Sequence, residues 1–162
     1  MDYSEAAKEL CLCLNEMEEV FLETENEINC LYTCSPDDID VCVERIERYR
    51  EISDEIFAEI EAICAKDESG ELKKAVSPRT DRKDVAEDLV CVFEKRQDIN
   101  AIACRIQNTI PMVQDRLKRS MEKTLEEIKK NNTSQSAQAS KYYSAVNDSQ
   151  ESGRLSYRSR TI

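Results

Sequence analysis

Histidine and tryptophan are missing from this 162-residue chain, glycine occurs twice and proline three times. Without imidazole there is no Ser/His/Asp-type triad, no phosphotransfer on histidine and no Glu-x-x-His pair of the kind that holds iron in helical bundles. So few Gly and Pro supply little turn material, which argues against a many-stranded sandwich or barrel. No stretch approaches the roughly 18 to 20 continuous apolar residues of a membrane span. There is no Gly-rich phosphate loop. The opening segment MDYSEAAKEL is acidic and has no basic stretch of the secretory type, so the expectation is a cytoplasmic protein. Carboxylates are plentiful, but none is paired in apolar surroundings as an acid and a base would be. An enzyme is not expected, and neither is a cofactor or a metal.

Charge and periodicity fill the space these absences leave. Charged residues make up 35% of the chain and the net charge is −11. From Asn131 onward the balance reverses, with Lys141, Arg154, Arg158 and Arg160 against Asp148 and Glu151. The acidic body therefore repels phosphate backbones and anionic membrane surfaces, so nucleic acid is excluded as a partner and membrane insertion is not expected.

Apolar or small residues recur in alternating steps of four and three, the period of a coiled-coil seam. One run is Leu10, Leu14, Met17, Phe21, Thr24, Ile28 and Leu31. A second is Ile39, Cys42, Ile46, Tyr49, Ser53, Ile56, Ile60 and Ile63. A third is Val85, Leu89, Val92, Arg96, Ile99, Ala103, Ile106, Ile110, Val113 and Leu117. The fold class this predicts is all-α: an elongated antiparallel bundle built from a long helical hairpin and a longer third helix, with a disordered C-terminal tail. The bundle is expected over 1–130 and the flexible polar tail over 131–162.

The first helix is predicted from Ser4 to Tyr32, with its Glu-rich face in solvent. Ser35 caps the second, Pro36 sits at its first position, and Asp37 and Asp38 suit its positive end. That helix should reach Ala65, and the short turn makes the pair an antiparallel hairpin. Lys66 to Lys83 reads either as a crossover over one end of the hairpin or as a mobile loop, with a short helical turn near Glu71 to Ala75. The third helix is predicted from about Arg82, behind Asp81, to Lys130, with a kink at Pro111. After Leu117 the spacing shifts to Met121, Leu125 and Ile128, a change of face.

Eight cysteines, Cys11, Cys13, Cys30, Cys34, Cys42, Cys64, Cys91 and Cys104, lie in or beside these helical patterns. They read as small buried hydrophobes. Cys30 and Cys34 can share a helix face, but no second pair completes a four-thiolate zinc site.

The order of parts resembles the FlgN-type flagellar export chaperones. The hairpin corresponds to Ser4–Ala65, with a second arm reading DDIDVCVERIERYREISDEIFAEIEAI after a short Asp-containing turn. Asn100 and Asn108 fall among apolar positions of the third helix, and Tyr142-Tyr143 precedes Gly153 in the tail. The resemblance implies a chaperone that binds C-terminal helices of hook–filament junction proteins and delivers them to the export gate. On this reading the partner-binding residues are Met112, Leu117, Met121, Leu125 and Ile128, with Tyr142 and Tyr143 closing over the client or touching the gate. Methionine suits such a surface because it is flexible and polarizable. The same stripe also reads as core or as a homodimer seam, and the tyrosines as merely solvated. The alternative function is accordingly a self-associating coiled-coil structural or adaptor protein. A redox or metal sensor using the cysteines is a third class.

Overall fold

The computed structural model describes residues 3–158, and their side chains as far as residue 145. Among the described residues there are helices and turns and no strand. α1 spans Tyr3–Thr33, α2 Ile39–Cys64, α3 Glu71–Val76 and α4 Val90–Arg158, with single 3-10 turns at Pro36–Asp38, Arg82–Asp84 and Glu87–Leu89. The chain divides into two units, Met1–Arg116 and Leu117–Ile162.

In the first unit α1 and α2 form the expected antiparallel hairpin. Near their shared turn Arg45 bonds to Glu27, and far from it Cys13 approaches Glu59. The α1 seam is buried at Leu10, Leu14, Met17, Ile28 and Leu31, and that of α2 at Cys42, Ser53, Ile56, Ile60 and Ile63. The remaining seam positions are half-buried. Period 3.5 therefore chose the inward face correctly along both arms, because only that stripe can leave water without uncovering the charged faces.

α4 runs parallel to α1. Cys91 lies against Cys11 and Arg105 against Glu25, each pair 80 residues apart in the chain. Between them Lys95 reaches Glu18. Beyond them Arg116 reaches the end of α1. The topology is thus up, down, up, with Val92, Phe93, Ile99, Ile102 and Val113 as the inward residues of α4.

The segment after α2 closes one end of this bundle. Asp67 turns the chain: its Oδ2 accepts the Leu72 N–H at 2.9 Å and its Oδ1 accepts the Ser69 N–H at 3.0 Å. Gly70 sits between at φ 76°, a left-handed conformation that favours glycine. The short helix α3 that follows puts Leu72 and Ala75, both 0% exposed, into the core. Tyr3 ties α1 to the turn through its hydroxyl, at 2.6 Å from Ser69 Oγ. Of the two expectations for Lys66 to Lys83, the packed one is found.

Several boundaries differ from the expected ones. The Ser35 hydroxyl donates to the Asp38 carboxylate at 2.7 Å instead of accepting a main-chain N–H, and Pro36–Asp38 is a 3-10 turn ahead of α2. Asp81 precedes another 3-10 turn and α4 starts at Val90, although Val85 and Leu89 are already buried. Pro111 lies inside α4 and does not end it. α4 also passes through residue 130, where the polar tail was expected to begin. No Gly or Pro stands between Pro111 and Gly153, so nothing local stops the helix.

Candidate functional site

Among the described side chains of the second unit, α4 carries no buried residue. Every side chain from residue 121 to residue 145 is exposed. Met121 is 67% exposed, Leu125 54% and Ile128 49%. At about 100° per residue these three share one face with the half-buried Leu117, in a sector roughly 100° wide. The same sector continues through Asn132, Gln135 and Ala139 to Tyr142, about 21 Å from Ile128 at 1.5 Å per residue. Tyr142 and Tyr143 are 69% and 68% exposed, and their rings meet edge-on with centroids 6.2 Å apart. The face thus holds two apolar spots separated by a polar interval.

The expected site residues are therefore only partly brought together. Leu117, Met121, Leu125 and Ile128 form one stripe, and the tyrosines form a second spot. Met112 belongs to the first unit, where its neighbour Val113 takes the inward position and Met112 is left exposed. Adjacent helical residues point about 100° apart, so Met112 cannot share the face that Val113 occupies. Side chains from residue 146 onward lie outside the described residues, and with them Gly153 of the tail reading.

The first unit holds a feature the sequence did not advertise as a site. Between α2 and α4, with Leu14 and Met17 of α1 as its floor, lies a groove of about 610 Å³. Phe57 and Ile60 form one wall, Ile99 and Arg96 the other, and Val76 to Pro78 close the end. Arg96 is half-buried, and its Nε donates to the Val76 carbonyl at 3.1 Å. Among the described residues no carboxylate pairs with it, and burial pulls its guanidinium below the usual arginine value. The signal was present in the sequence: an arginine at a seam position that is otherwise apolar.

The cysteines are all free thiols. Burial pushes Cys42 up to about 11, with Cys34 and Glu27 adding to it, and burial together with Cys91 raises Cys11 to about 11. Cys13 and Cys64 are also raised, first by burial. Such thiols are poor nucleophiles and poor metal ligands at neutral pH, because the thiolate is the reactive form. Among the described residues no three His, Cys, Asp or Glu side chains gather as a metal site. No helix among them is long and apolar enough to cross a membrane. Comparison with protein families, with curated proteins and with solved structures finds no match to this chain.

Proposed function

We propose that this chain is a helix-binding protein that takes an amphipathic partner helix onto the Leu117, Met121, Leu125 and Ile128 face of α4. In its specific form the reading is a cytoplasmic export chaperone of the FlgN type. Its clients are the C-terminal helices of hook–filament junction proteins, held until they pass to the export gate. One observation carries the reading: three large apolar side chains, each about half exposed or more, are aligned on one face of a helix. An amphipathic helix in search of a partner recognises such a stripe by matching positions spaced three and four apart. Tyr142 and Tyr143, on the same side and further along, supply a second contact for the client or the gate.

Self-association through the same stripe is the alternative. It would make the protein a coiled-coil adaptor. A dimer seam would run from Ile106 to Ile128, but Val113 within it is already buried in the first unit, and the exposed part from Leu117 is less than two heptads long, whereas a stable coiled coil needs about three or four. A short apolar face suits a partner that is held and released, so the adaptor ranks second.

Sedimentation of the purified chain, alone and with a peptide comprising a junction protein's C-terminal helix, tests both. A monomer that forms a one-to-one complex, lost on Leu125→Asp plus Ile128→Asp, supports the chaperone. A constitutive dimer that ignores the peptide and is split by the same substitutions supports the adaptor.

A further inference from the structure

We infer that the groove between α2 and α4 is a binding site for a small amphiphilic carboxylate, an apolar chain ending in one anionic head. The inference is independent of the helix-binding proposal, since the groove lies wholly in the first unit. Its volume of about 610 Å³ falls within the range of ligand pockets, about 300 to 1,000 Å³. Leu14, Met17, Phe57, Ile60 and Ile99 offer an apolar bed. Phe57 is 40% exposed there, an aromatic that the bundle's own packing leaves uncovered. Such a bed selects an apolar body.

Arg96 selects the head. A half-buried guanidinium normally meets a carboxylate, because an uncompensated charge out of water is costly. Here only its Nε is engaged, by the Val76 carbonyl, which fixes the plane of the group and leaves the terminal nitrogens without a protein partner among the described residues. A carboxylate matches that planar fork with two parallel hydrogen bonds. Lys73 and Glu61 also line the groove, so its balance is two cations against one anion in a chain whose net charge is −11. Local positive charge inside an acidic protein favours an anionic guest. One half-buried guanidinium with free terminal nitrogens calls for one anionic head rather than a string of phosphates.

Decanoate is the probe, titrated into the full chain by calorimetry, with decanol as its uncharged counterpart. One equivalent of decanoate should bind, and decanol at least about tenfold more weakly, the usual scale for losing a charge-assisted hydrogen bond. Arg96→Met should weaken decanoate by a similar factor, and Arg96→Lys should recover part of the loss. Cys64 lines the groove while Cys104 is exposed elsewhere. Saturating decanoate should therefore slow alkylation of Cys64 and leave Cys104 unchanged, as read by peptide mass mapping. Absent or unsaturable binding overturns the inference. So does equal affinity for decanol, and so does binding that leaves Cys64 unprotected. If Arg96→Met loses its helical circular dichroism, the decanoate–decanol comparison and the Cys64 protection on the unaltered chain decide.

Discussion

The guanidinium of Arg116 donates to the main-chain carbonyl of Leu31 at 2.6 Å. Its second terminal nitrogen donates to the Cys34 carbonyl at 3.0 Å, and its Cζ lies over the Tyr32 ring, 5.8 Å from the centroid. One side chain of α4 thereby bonds a carbonyl of the last turn of α1 and another just beyond it, at an end where a cation is also favoured by the helix dipole. Arg116→Ala should destabilise the first unit by about 2 kcal/mol, with increased hydrogen exchange in residues 31–38. Arg116→Lys should recover less than half, because an ammonium cannot reproduce the fork that reaches both carbonyls. A denaturant titration with exchange mapping checks both.

Asp67 sets an acid limit on the capped end of the bundle. Hydrogen bonds from the Leu72 N–H and the Ser69 hydroxyl hold its carboxyl at about 2, well below the ordinary carboxylate value. A depressed folded-state value means stability that is fully present above the unfolded-state value near 4 and is lost as pH falls toward 2. Asp67→Asn should therefore be less stable than the native chain at pH 6, and the two should converge as pH approaches 2. Thermal melts at a series of pH values would show a constant gap if the assignment of Asp67 were wrong.

Cys11 and Cys91 supply a ruler for the parallel register of α1 and α4. Their Sγ atoms are 3.6 Å apart, and a small rotamer change brings them to bonding distance. A diazenedicarboxamide oxidant takes two electrons and two protons from a thiol pair, becoming the hydrazine as the S–S bond forms. Mild treatment should yield the Cys11–Cys91 crosslink ahead of any pairing with Cys104, identified by peptide mapping under non-reducing conditions. Preferential crosslinking of Cys104 to Cys11 would contradict the register.

Core and stripe should separate cleanly by substitution. Leu72→Ala, at a fully buried position, should cost about 2 to 5 kcal/mol. Leu125→Asp with Ile128→Asp, on an exposed face, should change stability by no more than about 0.5 kcal/mol. Equilibrium unfolding of the two variants measures both. A large loss from the Asp pair would mean that the stripe is covered, by a second copy or by the chain itself.

The two hairpin seams were legible in the sequence because burial of one stripe is the only gain long charged helices have; the third held only in part, since Ile102 takes an inward place that the seam did not give it and Ile110 is left exposed. What escaped notice depended on single side chains acting across elements. Asp67 reaches five residues ahead to Leu72, and Arg116 reaches back to the end of α1; neither leaves a periodic trace. Met112 matches the stripe in residue type, while Val113, one position on, holds the inward register. Arg96 stands openly in its seam, yet only the structure shows that its single protein partner among the described residues is the Val76 carbonyl and not a carboxylate.

The nearly constant offset between α1 and α4, 77 to 85 residues along the seam, bears on how the bundle forms. Cys11 with Cys91 and Glu25 with Arg105 close loops of the same length. The chain entropy of that long loop is surrendered once, by whichever contact forms first, and each later contact along the seam encloses almost no new slack. The α1–α2 hairpin can assemble from nearby residues. α4 should then dock as a zipper, slow to start and fast to finish.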